Sequence, residues 1–241
     1  MLVLGVDTTA GIAAVSLIKD EKIVCEYSVN SGNTHSRTLL PMIESVLKSA
    51  EKKISDIDLF ALAAGPGSFT GVRIGAATVK GLAFADNIPC IGVSVLEAMA
   101  EGLRDLKGII CPVINARRGQ VYCAVFNADG ENIPERLTSD DTLMADELAN
   151  LLSQFDGENI YFAGDGTEVV MPCCDGLSVC SVPAVMNSQS AAGVAFLGLR
   201  KYLFAADEER ERFNHFNLSP IYLKKPQAER EREERLAAEA E

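Results

Sequence analysis

The chain repeats itself from the place where it begins. Leu2–Asp7 is an apolar run ending in an acid, Thr8-Thr9-Ala10-Gly11 is a turn, and Ile12–Ile18 is a second apolar run. Displaced by 108 positions, the same order returns: Asp7 falls on Asn115, Gly11 on Gly119, and Ile12–Ile18 on Gln120–Phe126. The next polar turn, Lys19-Asp20-Glu21, falls on Asn127-Ala128-Asp129. Two turns held in register mark an internal duplication of a strand–turn–strand unit. The fold is thereby restricted to architectures built from two like halves, each opening with an antiparallel hairpin.

Between the copies the hydrophobic period changes. After a third strand, Ile23–Val29, apolar residues fall at Leu39, Leu40, Ile43, Val46, Leu47 and Ala50, which predicts a helix over Ser36–Ala50. A buried strand at 58–64 runs into Gly65-Pro66-Gly67-Ser68-Phe69-Thr70-Gly71 and a helix over about 72–85. A short strand at 88–93 and a helix from Leu96 complete this half. The second half reads as the strand Ile109–Asn115, its hairpin partner, a helix near 146–152, a strand at 160–163 and a helix near 190–204. We expect an α/β, actin-like (ASKHA, ribonuclease H-like) two-lobe fold, with a duplicated mixed sheet and flanking helices. The expected boundaries are an N-terminal lobe over 1–106, a smaller lobe over 107–226, and a charged tail or helix over 227–241. A chain of 241 residues, 48% hydrophobic, can bury the core this requires.

In two-lobe folds of this kind the first hairpin of each lobe can cradle phosphate, with an acid at the strand end to place a metal ion or water. Asp7, Thr8 and Thr9 fit that reading; they equally fit a tight hairpin that caps its own turn. Asn115 stands where the second acid would be, and Arg117 and Arg118 crowd that turn, so no complete two-lobe ATP site is expected. The segment Gly65–Gly75 lies at a strand-to-helix junction, where free N–H groups can bind an anion. It lacks the Lys-Ser/Thr pair of a P-loop. The alternative is a sharp glycine turn with Thr70 as the helix cap. Gly65, Gly67, Ser68 and Arg73 join Asp7, Thr8 and Thr9 as the nucleotide-proximal candidates. Small residues at Gly71, Gly75 and Thr78 allow another helix to approach closely, from within the lobe or from a partner. Leu40 and Leu47 are offset from the core stripe of Leu39, Ile43 and Val46, and with Leu82 they complete a candidate partner face.

Charge narrows the classes of partner. A net charge of −12 opposes direct binding to nucleic acid phosphate. The end of the chain, from Glu229, is nearly all Glu, Arg and Ala and reads as a solvated tail. Seven cysteines, odd in number and irregular in spacing, make a poor disulfide framework and suit buried free thiols. With two histidines, His35 and His215, no metal site is expected. No apolar run approaches the ~20 residues of a membrane-spanning helix, and no leader is read at the N-terminus. A cytoplasmic protein is expected.

Several segments together resemble the TsaB (YeaZ) family. They are Leu4–Thr9, His35–Ile43, Gly65–Gly75, Ile114–Tyr122 and Pro220–Arg230, in order along almost the whole chain. The resemblance implies a subunit of the machinery that transfers a threonylcarbamoyl group to N6 of adenosine 37 in tRNAs reading ANN codons. It implies a TsaD-like catalytic partner and a TsaE-like ATPase, with no catalytic residues and no cofactor in this chain. ATP and metal would belong to the partners, and tRNA would be met only through them. The TsaD-like metal is held by two histidines four residues apart, whereas His35 and His215 are 180 positions apart. The two predicted N-terminal-lobe helices are expected to pair with their counterparts in that partner, and with a second copy when it is absent. Two other classes remain for comparison: an actin-fold ATP-dependent phosphotransferase, which would need an acid in both hairpins, and a metallopeptidase, for which the ligands are missing.

Overall fold

A computed structural model describes residues 1–32, 34–224 and 232. The expected tail over 227–241 therefore lies, apart from position 232, outside the described residues. The first sheet holds β1 (Leu2–Asp7), β2 (Ala13–Lys19), β3 (Lys22–Val29), β4 (Leu59–Gly65) and β5 (Cys90–Ser94), in the order β3-β2-β1-β4-β5. The β1–β2–β3 meander is antiparallel, and β4 and β5 run parallel to β1. Helices α1 (His35–Ser49) and α2 (Phe69–Asp86) link β3 to β4 and β4 to β5, and α3 (Val95–Glu101) leads from β5 to the second sheet.

The second sheet repeats the plan. It comprises β6 (Lys107–Arg117), β7 (Gln120–Cys123), β8 (Phe126–Asp129), β9 (Glu135–Arg136), β10 (Asp141–Met144), β11 (Ile160–Ala163) and β12 (Val179–Cys180), with α4 (Ala145–Leu152) and α5 (Thr167–Val170). The order β10-β7-β6-β11-β12 has the same strand directions as the first sheet. The predicted strand over 120–126 is divided: β7 and β8 both pair with β6, and β9 extends the sheet from β8. The second hairpin is also tighter. Asp7 pairs with Ala14, but Asn115 pairs with Val121, one residue short of the offset, with an irregularity between Asn115 and Arg117.

Alternation along the strands separates the layers. Leu4, Val6, Leu17 and Leu62 pack beneath Leu39, Ile43 and Val46 of α1 and Val79 of α2. The other face, with Val3, Ile18, Ala61 and Ala63, packs on α6 (Ala191–Phe204) and continues through Leu96 to Ile110, Ile114 and Phe126 of the second sheet. Ile109, Cys111 and Val113 point the opposite way, onto Leu148 and Leu152. Cys90, Cys111, Cys123 and Cys174 are buried free thiols. Burial pushes Cys90 up to about 11 and Cys123 to about 12, which keeps both protonated at neutral pH.

The position of α6 corrects the expected boundary at 107–226. This helix is apolar around most of its circumference and lies on the first sheet, not the second. A side chain at Gly5 would collide with the Ala191 carbonyl and with Ala195, so β1 and α6 touch backbone to backbone. Glu26 of β3 accepts from Ala192 N (3.2 Å) and Ser190 Oγ (3.3 Å) at the start of α6. After α7 (Asp207–Arg210) the chain stays with the first lobe: Leu218 lies in its core, and Ile221 N donates to Ala64 O (2.7 Å).

Candidate functional site

The C-terminal ends of β1, β4 and β6 meet at a cleft of about 650 Å³ between the lobes. Thr9, Gly11, Ser68, Asn115, Arg117 and Asp165 are among its lining residues. On the first lobe, Asp7 Oδ1 accepts from Thr9 N (2.8 Å) and Thr9 Oγ1 (2.6 Å), so the acid closes its own turn. Asp7 is 1% exposed, and its Oδ2 has no hydrogen-bond partner. Burial pushes its carboxyl above the usual carboxylate range, against the lowering effect of the Thr9 bonds and of His35. His35 Nε2 donates to Ala10 O (2.7 Å) and holds the turn from the side of α1.

The glycine-rich segment closes over that turn. Ser68 N donates to Thr9 O (2.6 Å), and Thr8 Oγ1 donates to Gly71 O (2.7 Å). A Cβ at Gly67 would lie 2.8 Å from Thr9 Cβ; one at Gly71 would collide with the Thr8 carbonyl; one at Gly75 would lie 2.6 Å from Thr8 Oγ1. These glycines seat α2 on the first hairpin, which corrects the reading of Gly71 and Gly75 as partner contacts. The helix is capped by Ser68 Oγ, which accepts from Gly71 N (3.3 Å), in place of the expected Thr70. Of the nucleotide-proximal candidates, Thr9, Gly67 and Ser68 line the cleft, while Asp7 and Thr8 are buried beneath it. Gly65 packs against the Ile221 carbonyl. Arg73 is held outside the cleft: Nε donates to Tyr222 Oη (2.8 Å), and the guanidinium lies 3.7 Å from the centre of the Phe69 ring.

In the second turn the amide of Asn115 stands in place of the Asp7 carboxyl. Asn115 Oδ1 accepts from Arg117 N (2.9 Å), the counterpart of the bond from Thr9 N to Asp7. Arg117 and Arg118 follow in left-handed conformations, φ 67° and 56°. Asp165 Oδ1 accepts from Asn115 N (2.9 Å). The sequence reading missed Asp165, whose partner Asn115 lies 50 positions away, and Lys224, whose Nζ donates to Ala116 O and Gln120 Oε1 more than 100 positions away. Among the described residues, no group of three or more His, Cys, Asp or Glu side chains is placed to hold a metal ion.

The outer face of α1 and α2 forms a second surface. Leu40 is 52% exposed, and Thr78 and Leu82 are half-buried. Leu47 belongs elsewhere: at 6% exposure it lies in the core with Leu39, Ile43 and Ile57, which corrects its assignment to the partner face. Sequence reasoning also missed the exposed Ala77 and Phe84. Gly81 is exposed, and a Cβ there would meet nothing within 4 Å.

The family described as TsaD: tRNA N6-adenosine threonylcarbamoyltransferase matches residues 29–231. The tRNA threonylcarbamoyladenosine biosynthesis protein TsaB of Bacillus subtilis (strain 168) is 29% identical over 232 residues, covering 95% of this chain and 96% of its own. The protein of the same name from Haemophilus influenzae is 31% identical over 175 residues, covering 69% of this chain and 72% of its own. Among solved structures, YeaZ from Pseudomonas aeruginosa superposes with a TM-score of 0.75 at 25% identity, covering 92% of this chain and 99% of that one. Among the described residues, no helix is long and apolar enough to cross a membrane.

Proposed function

The chain belongs to the TsaB family, and on that premise we propose that it is the non-catalytic, partner-binding subunit of a threonylcarbamoyl-transferring assembly acting on tRNA. Its partners are a TsaD-like catalytic subunit and a TsaE-like ATPase, in the cytoplasm, and it pairs with a second copy when alone. ATP and metal belong to those partners, and tRNA is met through them. A chain of net charge −12 is itself a poor surface for RNA phosphate.

The observation that carries this reading is the outer face of the α1–α2 pair. Leu40 is exposed on α1, and on the neighbouring α2 the exposed Ala77 and Gly81 leave the helix backbone bare. A ridge of small residues lets a second helix pair approach closely, and burial of Leu40 would drive the association. The TsaD family profile matches this chain over its helices, so a TsaD-like partner has an equivalent pair to offer in a pseudo-twofold, four-helix contact. The state of the first hairpin supports a role without chemistry. Asp7 is buried under a turn sealed by Ser68 and Gly71 and is not presented to a metal or a substrate.

The test is Leu40→Glu, a substitution at a position exposed enough to leave the fold intact. Co-purification with a TsaD-like subunit and threonylcarbamoylation of tRNA should both fall, with a loss of binding of about 2 kcal/mol, the scale of an interface anchor. Undiminished binding and activity would reject this face as the seat of the partner.

A further inference from the structure

We propose that residues 221–224 form a clasp that joins the two lobes across the mouth of the cleft and holds it at its present width. Among the described residues the lobes meet at a base and at a mouth that differ in chemistry; the Arg136–Glu97 ion pair (3.2 Å) also links β9 to α3. At the base, α3 and α6 lie in one apolar core that runs from Val3 and Ala61 to Ile110 and Phe126, all nearly inaccessible to water. At the mouth, the joint is polar and partly exposed. Ile221 N donates to Ala64 O (2.7 Å) at the end of β4. Tyr222, 43% exposed, stacks on Phe69 at a centroid distance of 4.7 Å and accepts from Arg73 Nε. Two residues later the chain has crossed to the other lobe. Lys224 Nζ donates to Ala116 O (2.9 Å) and Gln120 Oε1 (2.6 Å), on either side of the second turn, and lies 6.0 Å from the centre of the Tyr122 ring.

The asymmetry between the two joints makes the mouth the one that can release. Opening the base would expose buried apolar surface and is opposed by the whole core. Opening the mouth exchanges polar bonds of the Lys224 ammonium, those to Ala116 O and Gln120 Oε1 among them, for bonds to water, and such partly exposed joints sit at the low end of local opening free energies. Ile221, Tyr222, Leu223 and Lys224 all line the cleft, so their release would both widen it and remove part of its wall.

Hydrogen exchange on the full chain, read by mass spectrometry, tests the clasp. Lys224→Met keeps the aliphatic stem and removes the donors. Exchange should rise by about tenfold in the turn over 115–120 and in the loop over 65–70, while α3 and α6 keep their protection. Gln120→Leu, which removes an acceptor from the opposite lobe, should give the same pattern and serves if Lys224→Met melts early. Faster exchange confined to 221–224, or no change in either lip of the cleft, would overturn the proposal.

Discussion

At the residue scale, Asp7 is a carboxyl removed from water with one oxygen tied to Thr9 and the other without a partner. Its folded-state pKa stands above the ordinary value, so between the two values the folded chain holds more protons than the unfolded chain. Stability contributed at this position therefore falls as pH rises from the ordinary carboxylate value through the folded-state value, and stays reduced above it. Asp7→Asn keeps an acceptor for Thr9 and removes the charge. Its melting temperature should exceed that of the parent at pH 8. The gap should close below the ordinary carboxylate range; a gap independent of pH would show that burial of the charge is not the cause. The glycines divide in the same way. Gly71→Ala must displace the Thr8 backbone and should cost several kcal/mol in urea denaturation, whereas Gly81→Ala meets open space and should stabilise the isolated chain by about 1 kcal/mol. The chemistry of the first turn was legible in the sequence because an Asx turn is local, Asp7 with Thr9. The purpose of Gly71 and Gly75 was not, because the atoms that require them, the Thr8 carbonyl and Oγ1, belong to a residue more than sixty positions away.

At the scale of elements, α1 shows why helical spacing alone misassigns a face. Leu40 and Leu47 are seven residues apart and share nearly one direction on the helix. They differ because the chain after α1 folds back: Lys52 N donates to Leu47 O, and Ile54 and Ile57 pack over the same core. Leu47→Ala should therefore destabilise the isolated chain by roughly 2–5 kcal/mol, while Leu40→Ala should stay within about 0.5 kcal/mol. Chemical denaturation of the two variants distinguishes them; equal effects would contradict the burial assigned to Leu47. Helix α6 shows the same limit from another side. Its segment was legible as a helix near 190–204, but nothing in a period says which sheet covers it. The choice is made by complementary shape, with Gly5 of β1 and Ala61 of β4 lying against Ala195 and Gly198.

At the scale of the molecule, the two sheets are separate in topology but not in packing. The first sheet has α1 and α2 on one side and α6 on the other, and the sequence between α3 and α6 builds the second lobe. A fragment comprising residues 1–106 would lack one wall of its core and should be insoluble or unfolded; a soluble fragment with a cooperative melt would contradict this. The dependence also has a consequence for synthesis. A chain emerging from the ribosome exposes Val3, Ile18 and Ala61 early, but the helix that covers them follows more than a hundred residues later. At ordinary elongation rates that interval is on the order of 10 s, far longer than a hairpin needs to form. The nascent first sheet must wait, one face uncovered, for nearly the whole protein to be translated. A chaperone that recognises apolar strands should therefore bind ribosome-bound chains stalled before Ala191 and release those extended well beyond Phe204.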